Sequence, residues 1–156
     1  MPSPLLKKTT WLGIDPGANG GLAAISLTPD GRIDVESAIG MPETEEEIWD
    51  WFARYALLNT FDVQAVIERV SGWVGGKAEY AAMGAPGSAM FNFGVSYGGL
   101  RMALVGNGIP FKAPVPRTWQ KAMEVIPRDR KGGETQHQFK RRLKDMAHLL
   151  FPSGLS

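Results

Sequence analysis

Asp15 and Glu68 each stand at the end of a short apolar run, in "WLGID" and in "VQAVIE". A carboxylate closing a segment that otherwise belongs inside a protein needs a reason, and here the pattern occurs twice. Parallel strands finishing side by side put such residues about 4.8 Å apart, and two carboxylates that close ionise together only with a neutralising cation. The chain has no cysteine, so the available donors are hard oxygens. Those suit Mg²⁺, or alternatively Mn²⁺, cations that commonly bridge protein carboxylates to a substrate phosphate. Asp15 and Glu68 are therefore the candidate metal ligands and catalytic residues. Each has a plainer use as well: an Asp before Pro-Gly forms turns, and a Glu before Arg forms edge-strand ion pairs. The "PGANGG" that follows Asp15 allows close backbone approach. A glycine-rich turn after a first strand also cradles phosphates, yet this one matches neither G-x-x-x-x-G-K-[ST] nor G-x-G-x-x-G.

The elements that must position these acids are legible from period and punctuation. Thr10 to Asp15 and Gly20 to Thr28 read as strands, and "PDG" at 29–31 turns the chain into a third, "RIDVESAIG". Short turns make these three antiparallel neighbours. The next segment, "PETEEEIWDWFARYALLN", changes period, with Ile48, Trp51, Phe52, Tyr55 and Leu58 on one helical stripe. Thr44 and Glu47 have the spacing of a capping box, and the acidic first turn suits the helix dipole. Val63 to Glu68 is a fourth strand, and 71–87, rich in Gly and Ala, reads as a loop. A second helix from Ser88 to about Val105 carries Gly94 and Gly98 one turn apart, a spacing expected to permit close packing against a strand or a partner subunit. "IPFKAPV" is a fifth strand and "PRTWQKAM" a helix with Pro at its start, in which Trp119 is expected in the core. A final helix turns Phe139, Leu143, Met146, Ala147 and Leu150 inward. A strand-helix-strand crossover favours parallel, right-handed pairing, so the fourth and fifth strands should extend the sheet beside the first. The fold class is α/β: a mixed five-stranded sheet, three strands antiparallel and two parallel, flanked by helices.

A length of 156 residues, 44% of them hydrophobic, supports one domain with a real core. The boundaries expected are a tail over 1–9, a single domain over 10–152 and a tail over 153–156. No apolar run approaches the roughly 20 residues that cross a bilayer, and the start lacks the long apolar region of a signal peptide; a reducing, cytoplasmic setting fits. Net charge is only +1, but it is unevenly spread. Residues 1–62 carry ten acids against four bases, whereas 112–144 carry ten bases against three acids. That asymmetry points to a polyanionic partner.

The blocks "GIDPGANGGLAAI", "AVIERV", "SAMFNFGVSYGGLRMAL", "GIPFKAPVPRTWQKAM" and "KRRLKDMAHLLFP", taken in order, resemble the RuvC-type Holliday-junction resolvases, particularly phage-encoded ones. The resemblance spans roughly residues 10–152. It implies a ribonuclease H-like fold, a homodimer, the cytoplasm of a bacterial host, and metal-dependent hydrolysis of DNA strands at four-way junctions. Asp15 matches the family's first catalytic acid and Glu68 its second, and the family's complete site holds two Mg²⁺. Family members have another helix after the "LFP" block, bearing one or two further acidic or His ligands, whereas this chain reads "LFPSGLS". Two Mg²⁺ bring four positive charges, against three negative ones from Asp15, Glu68 and a phosphate. The expectation is a chain that folds and binds but cuts poorly unless another acid substitutes; Asp129, Glu134 and Asp145 remain, with Asp145 read as a solvated helix residue.

Affinity for DNA would come from Lys and Arg, which release counterions from the phosphate backbone. Lys140, Arg141 and Lys144 share a helical face, and Arg128, Arg130 and Lys131 precede it in a loop. Arg101, Arg117, Lys121 and Lys77 are further candidates. Trp73 and Tyr80 follow Glu68, where the family places a junction-probing aromatic; Trp73 is a candidate for stacking on an unpaired base. The exposed face of the second helix is the candidate dimer interface, since two symmetric cuts require twofold-related sites. Two other readings compete. One is a protein of the same fold that binds junctions with little or no catalysis; the other is a small phosphotransferase or ATPase using "GIDPGANGG" as a phosphate loop.

Overall fold

Burial alternates along Thr9–Asp15 (β1): Thr10, Leu12 and Ile14 are buried, while Trp11, Gly13 and Asp15 face the other way. The same alternation runs through Gly21–Leu27 (β2), where Leu22, Ala24 and Ser26 are buried. This period of two is what a sheet with one covered face imposes. The computed structural model describes residues 8–57, 62–70, 87–125 and 133–152. Its remaining elements are Ile33–Gly40 (β3), Glu45–Ala56 (α1), Asp62–Ile67 (β4), Gly87–Gly106 (α2), Phe111–Lys112 (β5), Pro116–Ala122 (α3) and Gln136–Leu150 (α4).

The five strands form one sheet in the order β3-β2-β1-β4-β5. β1, β2 and β3 pair antiparallel, and β4 and β5 add on in parallel. The mixed sheet expected from the sequence is the sheet observed. β5 is shorter than "IPFKAPV" predicted because it lies between Pro110 and Pro114, which have no N–H for the ladder. Their carbonyls still accept, from Ala65 N–H at 2.9 Å and Arg69 N–H at 2.8 Å.

Leu12, Ile14, Leu22, Ala24, Ala65 and Ile67 of the sheet pack against Ile48, Trp51 and Phe52 of α1 and Leu100, Ala103 and Leu104 of α2, forming the core. α1 begins with the capping box its sequence promised: the Thr44 hydroxyl accepts from Glu47 N–H at 3.2 Å, and the Glu47 carboxylate accepts from Thr44 N–H at 3.1 Å. Thr44→Ala is expected to cost about 1 kcal/mol in urea unfolding; an unchanged midpoint would show that solvent replaces the cap. Leu58, the last residue of the predicted stripe, lies outside the described residues, as does nearly all of the 71–87 loop.

One packing expectation is narrowed and one corrected. Gly94 and Gly98 face open space among the described residues, so they do not pack against the chain's own sheet, and a close approach falls at Gly106, where an added Cβ would sit 2.7 Å from the Trp49 ring. On α4, Leu143, Phe139, Met146 and Ala147 are half-buried, but Leu150 is 45% exposed, so packing ends one turn before the helix does. No described helix is long and apolar enough to cross a membrane.

Candidate active site

β1 and β4 run parallel with Leu12 beside Ala65 and Ile14 beside Ile67. The Glu68 N–H donates to the Ile14 carbonyl at 3.0 Å, which carries the ladder past the end of β4. Ile14 and Ile67 are both buried on the covered face, so the next residue of each strand, Asp15 and Glu68, emerges on the opposite face. The two acids are thus on neighbouring strands, at matching height and on one side of the sheet.

The turn after Asp15 holds this geometry. Gly17 takes φ +113, a left-handed conformation, and its carbonyl accepts from Gly20 N–H at 2.9 Å; the Gly20 carbonyl in turn accepts from Met41 N–H at 3.1 Å. Gly20 passes so close that an added Cβ would lie 2.0 Å from the Asp15 carbonyl oxygen. The glycines of "PGANGG" serve as a tight return against β1.

Both acids line a cleft of about 990 Å³, walled on its far side by Trp119 and Gln120 of α3 and by Gln136, Phe139, Lys140 and Leu143 of α4. Trp119, expected in the core, is half-buried and belongs to this wall; its indole Nε1–H donates to Glu68 Oε2 at 2.6 Å. An indole combines an apolar body with a polar tip, and here the tip found the carboxylate. Trp is a donor only, and the spacing that would have flagged it is the position of "PRTW" directly after the strand that pairs with β4.

Desolvation by the cleft walls pushes the Asp15 carboxyl above its usual range, with Lys140 opposing the shift. Glu68 is pushed up for the same reason, opposed by the Trp119 hydrogen bond and reinforced by the negative charge of Asp15. Asp15 remains accessible to solvent, since it opens onto the cleft rather than into the core. A carboxyl raised in the folded state binds protons that the unfolded chain has already released. Stability therefore falls as pH climbs from the ordinary carboxyl range through the raised values, and stays reduced at neutral pH. Asp15→Asn is accordingly expected to raise the Tm of the metal-free chain at neutral pH but not at about pH 3, below the ordinary carboxyl range. Equal shifts at both pH values would show that charge is not the cause.

The other candidates divide. Lys140 lies in the cleft, and Arg141 and Lys144 are exposed on α4 beside it. Arg117 and Lys121 are exposed on α3. Arg101 is exposed on α2, with its guanidinium over the rings of Tyr97 and Phe111 at 5.8 and 6.0 Å. Trp73, Lys77, Tyr80, Arg128, Arg130 and Lys131 lie outside the described residues, as does Asp129. Glu134 is engaged by Arg142 through two hydrogen bonds of 2.8 Å, and Asp145 is exposed on α4. Among the described residues no group of three or more His, Asp or Glu is placed to hold a metal ion.

No protein-family model matches the chain, and no curated protein matches it by sequence. Solved structures do match. Thermus thermophilus RuvC in complex with a Holliday junction substrate superposes with a TM-score of 0.50 at 12% identity, over 90% of this chain and 93% of that one. A second Thermus thermophilus RuvC structure gives a TM-score of 0.50 at 14% identity, over 95% and 84%. At such identities the likeness is one of architecture. The described residues adopt a RuvC-like, ribonuclease H-like fold, with Asp15 and Glu68 at the carboxyl ends of its two central parallel strands.

Proposed function

We propose that this chain is a structure-selective endonuclease that cuts four-way DNA junctions by metal-dependent phosphodiester hydrolysis, with residues 10–152 acting as one nuclease domain. The observation that carries the reading is the placement of Asp15 and Glu68 on adjacent parallel strands, side by side in an open cleft. The donor set fits a hard divalent cation. Two carboxylates share a desolvated site in which the charge of one opposes ionisation of the other, and a cation relieves both penalties. Asp15 and Glu68 would hold Mg²⁺, or Mn²⁺, which when bound activates water and stabilises the entering and leaving oxygens of an in-line attack. The chain's own residues do the rest. The two acids fix where a phosphate is met, Lys140 offers the backbone a positive charge beside them, and Phe139 and Leu143 keep that wall of the cleft apolar.

Around the cleft, Arg117 and Lys121 on α3 and Arg141 and Lys144 on α4 supply further phosphate contacts. Trp73, Lys77, Tyr80, Arg128, Arg130, Lys131 and Arg101 complete the DNA-binding set on their sequence positions. One of the structurally similar proteins is itself in complex with a Holliday junction substrate, which supports this substrate here. The partner protein is a second copy of the chain. α2 presents Phe91, Val95, Met102 and Val105, all more than half exposed, as an apolar face, and a twofold pair of sites suits two symmetric cuts. A second reading, binding with weak cutting, is favoured by the engagement of Glu134 with Arg142, which removes one acid from those able to complete a metal site.

The deciding experiment is incubation of a labelled four-way junction and a linear duplex of the same sequence with the chain and Mg²⁺ or Mn²⁺. Paired nicks in the junction alone are expected. Tight junction binding without nicks in either metal would replace the nuclease reading with the binding one. A nucleotide that raises Tm where junction DNA does not would favour the phosphotransferase.

A further inference from the structure

We infer that Trp119 is a positioning residue for Glu68, committing one carboxylate oxygen to the indole so that the other is presented to the cation; the inference rests on the metal-site reading above. The Trp119 Nε1–H donates to Glu68 Oε2 at 2.6 Å, and a hydrogen bond to an ionised carboxylate is stronger than one between neutral groups. An indole has a single N–H and accepts nothing, so it can hold one oxygen and compete for neither the cation nor the second oxygen. A glutamate side chain left alone turns about several bonds, and ordering it on metal binding carries an entropic cost. Here that ordering is already done.

The scaffold between the two residues is short and stiff. β4, which delivers Glu68, pairs with β5 through Ala65 beside Phe111 and Val66 beside Lys112. Arg69, next to Glu68, donates its N–H to the Pro114 carbonyl at 2.8 Å. α3 starts two residues later with Pro at its first position, where the fixed φ suits a helix start. Trp119 thus reaches Glu68 from an element tied directly to the strand that carries it. Its ring also lines the cleft, so the same side chain limits water at the carboxylate.

The test measures Mn²⁺ affinity of the full chain by titration calorimetry, with junction affinity in the absence of divalent cation as the control. Trp119→Phe keeps the aromatic body and deletes the N–H. Partners that orient metal ligands typically matter about 10- to 100-fold, so Trp119→Phe is expected to weaken Mn²⁺ binding at least about tenfold while cation-free junction affinity stays within about twofold. Added to Glu68→Gln, the same substitution should have no further effect on Mn²⁺. Wild-type Mn²⁺ affinity in Trp119→Phe would overturn the positioning role and leave the metal site standing. No Mn²⁺ uptake by the unmodified chain would remove the metal site and this inference with it. A second measurement needs no tryptophan variant: the Trp119 indole N–H resonance should be displaced downfield and move back in Glu68→Ala. A resonance indifferent to Glu68→Ala overturns the inference.

Discussion

Asp15→Asn and Glu68→Gln are each expected to lower junction cleavage by about 10³-fold, equivalent to about 4 kcal/mol of transition-state stabilisation, while junction binding is retained. The size follows from the site's economy. Only two acids meet in the cleft among the described residues, so on the proposed reading losing either would leave a bound cation with one protein carboxylate. The charge gathered on a scissile phosphate in the transition state would then go largely uncompensated. Binding should respond differently, because each substitution removes a negative charge close to where a phosphate would lie and leaves Lys140, Arg141 and Lys144 in place. Affinity is expected to hold or rise slightly, and to keep falling with salt. Single-turnover cleavage and a binding titration on the same junction separate the two effects. If the chain cuts and both variants cut at its rate, the nuclease site lies elsewhere.

The second large effect is expected from a residue that does no chemistry. Gly20→Ala places a methyl group 2.0 Å from the Asp15 carbonyl oxygen and 2.8 Å from its carbon. Both are backbone atoms of β1, so no side chain can rotate to make room. Gly20 itself is held from both sides, donating to Gly17 and accepting from Met41, so retreat breaks hydrogen bonds that close the turn. The cost should reach the upper end of overpacking, about 3 kcal/mol, and lower Tm by roughly 6–12 °C in a chain of this size. Cleavage should suffer beyond the loss of folded protein, because relief of the clash moves Asp15. Gly40→Ala is the matched control: its added Cβ meets nothing within 4 Å, and the substitution should be close to neutral. Equal stability of the two variants would show that the turn is more pliant than its contacts imply.

Much of the scaffold is legible in the sequence. Alternation in "TWLGID", the capping box at Thr44 and Glu47, and the β-branched run ending at Glu68 depend on neighbours in the chain, and the covered face of a sheet or one turn of helix enforces them locally. Parallel pairing of β1 with β4 followed from the handed crossover between them, and with it the side-by-side placement of the two acids. The exposed outer end of α4 escaped the same reasoning. A helical stripe records that a face is apolar; it does not record how far the neighbouring element extends.

The amino-acid sequence by itself determined the strands, the helices, the order of the sheet and the convergence of Asp15 with Glu68, because each rests on a short-range period or on a connection with one favoured hand. Only the tertiary structure decided what surrounds those acids. Trp119 is 51 positions from Glu68, and Lys140 is farther still from Asp15. Their meeting depends on how α3 and α4 settle over the open face of the sheet, which is set by the sum of many weak contacts between distant segments and leaves no period in the chain.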